Sequence, residues 1–489
     1  MKVFFVNPPT VDGDKYIREG RCMQSVDSWA AIWPPLTLAI LATIAKKYGD
    51  VGMIDCNVED LPLDKTLQEV VNFQPDIVVV NCAFPSIESD AMFAKLVKEA
   101  CGETIVLGFG VFFTLLEETA LLDTVGYDVA IYGEPEETFD EFLENYRKEG
   151  RVVPVRGLMW REGDQVKKSN PRPFIQDLDT IPMASRDVLR NERYTLPHNG
   201  HRFTLLNVAR GCPYHCIFCI ANIYYGKKLR HHSVGYVIEE IELCVKRHGI
   251  KDFLFWEEVF TLDKVFVMAL CDEIIKRNIN IFWAATTRAD LLDEKILRKM
   301  KEAGCELLGL GIESCSQKIL DDLRKDETVD QMKSAVELCK KVGMPTMGHF
   351  IFGLPGETEE TAQETIKYIG TLGLDYMQCY CAVPYPKTPL WEMAEEKGWL
   401  ISKRWSHYDF GGRSVMDIGG VSPDDIDRYR RVAFRKFYLR PRYMLRQLRM
   451  ITSFRQVMQA ANFLRWMKTK PREKDSSEEV FKWRTLKYR

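Results

Sequence analysis

Short, almost wholly apolar runs alternate with longer segments whose apolar residues recur at three- and four-residue spacing. The pattern holds from residue 1 to about 150 and again from 201 to about 395. Few folds accept it, because a strand apolar on both sides must be covered by helices on both sides. In the first block, residues 3–7, 51–55, 77–82, 105–110 and 129–133 are predicted strands. Residues 36–48, 67–72, 87–100, 115–122 and 137–147 are predicted helices. The second block predicts strands at 203–209, 252–257, 279–286, 306–312, 346–353 and 376–383, with helices at 234–248, 262–277, 294–303, 329–342 and 359–371. The expected fold class is therefore α/β: a Rossmann-like parallel sheet over 1–150, then a partial (β/α)6 barrel over 201–395. In both architectures ligands gather at the carboxyl ends of the strands.

Between the blocks, residues 151–200 read as a linker, with a small hairpin around Glu162-Gly163-Asp164 followed by Pro171, Pro173, Pro182 and Pro197. Residues 28–45 carry no charge, which invites a membrane reading, but Pro34 and Pro35 divide the stretch. A central proline costs a helix about 3 kcal/mol, so a loop leading into a buried helix is expected. The chain has 14 cysteines, most of them scattered through apolar segments, the usage of a reducing cytosol. A net charge of −3 predicts no nucleic-acid partner for the chain as a whole.

Chemistry concentrates in the loop after the first barrel strand, Arg210-Gly211-Cys212-Pro213-Tyr214-His215-Cys216-Ile217-Phe218-Cys219. Iron–sulfur clusters are held by cysteine thiolates, usually four. Cys212, Cys216 and Cys219 supply three, leaving one iron for an exogenous ligand. The same loop could hold zinc with a distant fourth ligand, and His215 keeps that reading open.

The C-x3-C-x2-C loop, with an aromatic residue before its last cysteine, resembles that of the radical S-adenosylmethionine (SAM) enzymes. That resemblance implies a [4Fe-4S] cluster whose open iron is chelated by SAM, and reductive cleavage of SAM to a 5′-deoxyadenosyl radical. It further implies SAM contacts from Phe218, from Glu257 after strand two, from Arg288 after strand three, from Glu313 in Gly311-Ile312-Glu313-Ser314, and from Ile351 and Gly353 before Leu354-Pro355-Gly356. The first block resembles the cobalamin-binding domain found ahead of many such barrels. It matches at Asn7-Pro8-Pro9, Pro34-Pro35-Leu36 and Gly133-Glu134-Pro135-Glu136. This implies cobalamin contacts from Asn7, Pro8, Pro34, Pro35, Cys82, Gly108, Gly110, Gly133 and Glu134. The D-x-H-x-x-G motif is absent and the first histidine is His198, so cobalamin would bind without a histidine below its cobalt.

Residues 396–489 are expected to be a helical, basic, substrate-proximal region. From Arg428 to Lys470 there are ten arginines, three lysines and no acidic residue, interleaved with aromatics. Such a stretch can rest on the inner face of a membrane; packing on the rest of the chain is the alternative. Phe437-Tyr438-Leu439-Arg440-Pro441 resembles the tails of the tetrapyrrole-cyclase and hopanoid branches of the cobalamin group. The expected activity is modification, foremost methylation, of an unactivated carbon in an apolar substrate such as a lipid, isoprenoid or tetrapyrrole. An external donor such as flavodoxin or ferredoxin would supply electrons. The alternatives are a cyclase or rearrangement enzyme, an enzyme whose first domain no longer binds cobalamin, and a zinc-stabilised nucleic-acid-binding protein.

Overall fold

A computed structural model describes residues 1–444 except 12, 27–30, 198 and 442. The strands before residue 170 are β1 (Lys2–Asn7), β2 (Tyr16–Glu19), β3 (Cys22–Ser25), β4 (Asp50–Asp55), β5 (Ile77–Asn81), β6 (Ile105–Phe109), β7 (Val129–Ile131), β8 (Leu158–Glu162) and β9 (Gln165–Lys168). The first sheet runs β4-β1-β5-β6-β7-β8-β9, its first five strands parallel and the last two antiparallel. All five residues of β5 are buried, as expected for a central strand with helices on both faces. The expected helix over 115–122 is two helices, Val111–Leu116 and Glu118–Asp123. Glu117, at φ 52°, breaks the path between them.

Two hairpins add to the sheet structure expected from sequence. β8 and β9, expected to lie in the linker, extend the first sheet by pairing with β7. β2 and β3 were not expected: each is only four residues long, too short for a pattern of alternation to register. Their turn, Glu19-Gly20-Arg21-Cys22, projects from the first domain toward the barrel. Gly20 has φ +51°, and a Cβ there would meet the Tyr225 hydroxyl at 2.7 Å and Trp256 at 3.2 Å.

The barrel strands are β10 (Phe203–Asn207), β11 (Ala209–Arg210), β12 (Arg230–His231), β13 (Asp252–Trp256), β14 (Phe282–Thr287), β15 (Cys305–Glu313), β16 (Thr346–Phe352) and β17 (Tyr376–Cys381). The main sheet, β10-β13-β14-β15-β16-β17, is parallel throughout; β11 and β12 form a separate antiparallel ribbon. The connecting helices start where side chains satisfy their first amides. Thr328 and Gln331 form a reciprocal cap on Val329–Val342, and Asp263 accepts from two amides of Lys264–Lys276.

The helix Pro423–Tyr438 closes the barrel's far edge. Its Tyr438 hydroxyl donates to the Met377 carbonyl at 2.7 Å, and buried Arg430 donates to the Gly411 carbonyl at 3.0 Å. The described start of the basic stretch thus packs on the barrel, whereas residues 445–470 lie outside the described residues. Among the described residues no helix is long and apolar enough to cross a membrane.

Candidate active site

The β11–β12 ribbon ties together both ends of the cysteine loop. Arg210, the last residue of β11, is followed by Gly211 at φ +98°, where a Cβ would lie 2.2 Å from the Lys228 carbonyl oxygen. No other residue fits that approach. The Cys212 amide then donates to Gly226, the Cys219 amide to Cys216, and the Ile217 amide to Leu323 across the barrel mouth. Burial pushes the Cys212 thiol up to about 11 and that of Cys219 to about 12; Arg21 beside both opposes it. Burial also raises Cys216, against the pull of Lys325 and Arg288. Among the described residues no three His, Cys, Asp or Glu side chains converge tightly enough for one metal ion. Zinc would need its sulfurs within about 2.3 Å of a common centre, so its geometry is not prebuilt here. A cubane takes one thiolate at each of separate iron corners and asks for wider spacing.

The loop is fastened to the first domain by a buried charge network. Glu134 accepts from Arg210 at 3.2 Å, from Arg230 at 2.9 and 3.0 Å, and from the Ile175 amide at 2.8 Å. Glu136 accepts from Arg210 at 2.6 Å. Burial would raise the Glu134 pKa, but the two guanidiniums and the amide outweigh it and hold it below the usual carboxylate range. Glu134, expected to touch cobalamin, uses both oxygens to hold the arginines at the two ends of the cysteine loop. The Gly-Glu-Pro-Glu turn is the bolt between the domains.

Around the barrel mouth the expected SAM residues divide. Glu257 is buried, its Oε1 has no hydrogen-bond partner among the described residues, and burial together with Glu258 pushes its pKa well above the usual range. Glu258 is not a surface residue: it is buried and ion-paired to Arg21 of the β2–β3 turn. Arg288 is spent on the protein itself, donating to Asp290 at 3.0 Å and to the carbonyls of Lys325 at 2.7 Å and Asp326 at 3.2 Å while lying over the Tyr214 ring. Glu313, at φ +62°, lies 3.4 Å from Lys325, which also pairs with Glu327 at 3.0 Å. Ile351 is buried, and Phe218 is partly buried against the main core. Gly353, at φ +83°, donates its amide to Glu357 at 2.6 Å, and a Cβ there would meet Ile426 at 2.8 Å.

The expected cobalamin residues lie along the carboxyl edge of the first sheet. Asn7 donates to Asp55 at 3.3 Å, and its own Oδ1 is buried without a partner among the described residues. The Pro8 carbonyl accepts from Arg18, whose Nη1 is likewise buried and unpartnered and whose Nη2 pairs with Asp90 at 2.8 Å. Pro34 precedes Pro35, which opens the helix Leu36–Ala45. The Cys82 thiol shares a hydrogen bond with Tyr127 at 3.1 Å. Gly108 and Gly110 serve packing: a Cβ would stand 2.3 Å from Phe113 and 2.5 Å from the Cys82 carbonyl oxygen, respectively. Gly133 faces open space at φ +83°. Sequence reading missed Arg18, Arg21 and Arg230; charged residues in short strands and turns carry no periodic signal, and only their burial marks them.

Residues 206–369 match the Radical SAM superfamily, and residues 26–143 match the B12 binding domain. The chain is 33% identical over 448 residues to an uncharacterized methyltransferase of Pyrococcus horikoshii, covering 92% of this chain and 95% of that one. The chain belongs to the B12-binding radical SAM enzyme family. Its cofactors are a [4Fe-4S] cluster, SAM and cobalamin. This B12-binding radical SAM enzyme is also 28% identical to the anaerobic magnesium-protoporphyrin IX monomethyl ester cyclase of Rubrivivax gelatinosus, over 90% of this chain and 78% of the cyclase. Its fold matches the cobalamin-dependent SAM radical enzyme OxsB, solved with aqua-cobalamin and SAM bound. The TM-score is 0.71 at 16% identity, covering 95% of this chain and 70% of OxsB.

The residues present fit these groups. Three thiols share one loop with Arg21 and Lys325 close by, suited to an anionic cluster. The unpartnered Glu257 oxygen calls for a cation, and SAM carries an ammonium. Asn7 Oδ1 and Arg18 Nη1 are an unpartnered acceptor and donor at the edge where cobalamin domains bind their ligand.

Proposed function

We propose that the protein methylates an unactivated carbon of an apolar substrate, with cobalamin bound without histidine as its lower ligand. The observation that carries this is the joining of the two halves: the glutamates that end the first sheet hold the arginines that flank the cysteine loop. When bound, the cluster supplies the electron that cleaves SAM to a hydrogen-abstracting radical, and cobalamin supplies the methyl group. The chain's own part is to position and to exclude water. Cys212, Cys216 and Cys219 hold the cluster, and Glu257 receives the amino group of SAM. The β2–β3 turn closes over both, with Arg21 neutralising Glu258. Methyltransferases among the relatives support methylation. The cyclase relative, matched over nine-tenths of this chain, supports cyclisation as the second reading. Flavodoxin or ferredoxin is the proposed electron donor, and contact with a membrane surface through 428–470 remains a proposal.

The test is anaerobic reconstitution with iron, sulfide and hydroxocobalamin, followed by iron counting, an absorption spectrum and assay of 5′-deoxyadenosine. About four irons per chain, corrinoid bands and reductive SAM cleavage are expected, with all iron lost in Cys216→Ser. A chain that takes up no iron and leaves SAM intact sinks the reading. Iron and SAM cleavage without corrinoid bands would show a first domain that does not bind cobalamin.

A further inference from the structure

One face of the barrel sheet opens onto a concave space. On β14 and β17 fully buried residues alternate with half-buried ones, Phe282, Ala284 and Thr286 on the first and Tyr376, Gln378 and Tyr380 on the second. On β16, Met347 and His349 have the same half-buried exposure. Strand residues two apart share a face, so these line the concavity. The wall is not uniformly apolar. The register sets His349 opposite Gln378 on one side and Gly311 on the other. Gly309 stands next to Thr286. A Cβ at Gly309 would lie 3.0 Å from both His349 Nε2 and Thr286 Oγ1, so the glycine is what lets the imidazole edge come this close to the strand.

The hydrogen bonds orient that imidazole. The Tyr380 hydroxyl donates to Gln378 Oε1, and its oxygen lies 3.3 Å from His349 Nδ1. With the hydroxyl proton given to Gln378, the tautomer that completes the chain of hydrogen bonds has its proton on Nδ1, donating to Tyr380. That leaves Nε2, on the far side of the ring, as a bare acceptor. Burial, with Arg21 and Lys325 adding to it, lowers His349 to about 4, so the ring is neutral at ordinary pH and keeps this lone pair. Among the described residues no group donates to Nε2, which lies on the half-buried face; a ligand that displaces water there must donate to it or leave it unpaired.

We propose that His349 Nε2 is the recognition point for a hydroxyl or N–H group of the substrate, with Tyr380 and Gln378 as the positioning residues that hold the ring in the accepting tautomer. This rests on reading the barrel mouth as the place of substrate chemistry, and it narrows the substrate class. The substrate is a largely apolar molecule with a hydrogen-bond donor inside the barrel, not an unfunctionalised hydrocarbon. A site built to accept such a donor discriminates strongly against the analogue that lacks it.

The test uses the full-length, anaerobically purified protein labelled with 15N-histidine and reconstituted with iron and sulfide, the His349 signals being assigned by their loss in His349→Phe. Phenol and anisole are the probes: both carry the ring and the oxygen, and only phenol donates. The expected result is an unprotonated Nε2 signal that moves on titration with phenol and stays in place with anisole. In Tyr380→Phe the signal shifts toward a mixture of tautomers. A protonated Nε2, no response to phenol, an equal response to anisole, or an unchanged tautomer in Tyr380→Phe would overturn the proposal. Iron counted on the same sample separates this from the function: an iron-free protein with the expected histidine signals would sink the cluster reading and leave His349 as the acceptor.

Discussion

Replacing Glu134 with glutamine breaks the bolt between the domains at its centre. The carboxylate serves two guanidiniums, Arg210 with 5% of its side chain exposed and Arg230 with 3%. Arg210 keeps Glu136 at 2.6 Å after the change, but Arg230 keeps only the carbonyls of Ile175 and Tyr225 among its hydrogen-bond partners. Removing one partner of a buried pair costs about 3–5 kcal/mol, because the other charge stays in a medium that cannot solvate it. At a slope of about 3 kcal/mol per molar, that lowers the urea midpoint by about 1–1.7 M. Arg230→Met should cost less, since Glu134 retains Arg210 and the Ile175 amide. The double variant should be milder than the sum, with a coupling of about 1–3 kcal/mol. The sign with pH follows: Glu134 is held below its ordinary pKa, so its contribution is complete above the usual carboxylate range. The contribution is lost as pH falls through the lowered folded value, and Glu134→Gln should lack that acid-side loss. The assay is anaerobic urea unfolding followed by tryptophan fluorescence, with iron retention read in parallel. A loss below about 1 kcal/mol for Glu134→Gln, together with additivity in the double variant, would refute the idea that this network joins the domains.

Other expected outcomes follow from the same structure. Glu357 is buried and pushed up to about 8, despite amide donors at Gly353 and Leu354. Its protonated form is favoured by folding, so stability should fall as pH rises from about 4.5 to 8, by about 1.4 kcal/mol per unit at most. Glu357→Gln should flatten that slope in a pH series of urea midpoints; an unchanged slope would show the group is not the source. Gly211→Ala places a Cβ against the Lys228 carbonyl at a positive φ and should cost about 1–3 kcal/mol. It should also lower iron retention after reconstitution, whereas Gly235, which lies within a helix at an ordinary φ with only Ser233 Oγ at 3.7 Å from an added Cβ, should tolerate alanine with normal iron content. Arg21→Met removes the partner of buried Glu258 and a cation beside the cysteine loop, and should weaken SAM binding measured by equilibrium dialysis; unchanged binding would show that the turn does not reach the SAM site.

Much of the architecture was legible because it rests on local rules. Apolar runs such as Ile77-Val78-Val79-Val80 can only be strands covered on both faces, and the helices between them carry their own caps. The cysteine loop was legible because its three ligands lie within eight residues. The hairpin β2–β3 was not, since eight strand residues around a Gly-Arg turn show no period. Nor could the sequence say that Glu134 faces Arg230, 96 positions away, rather than a ligand.

By itself the sequence determined which segments are strands, where the cluster loop stands and that no histidine lies in the first domain. Only the tertiary structure decided which charges meet. Arg288 was spent on Asp290 and two carbonyls, Glu258 was matched to Arg21, and Glu257 was left with an oxygen facing no partner. The reason is physical: strand and helix formation depend on neighbours within a few residues. The fate of a buried charge depends on what the rest of the chain brings within about 4 Å of it.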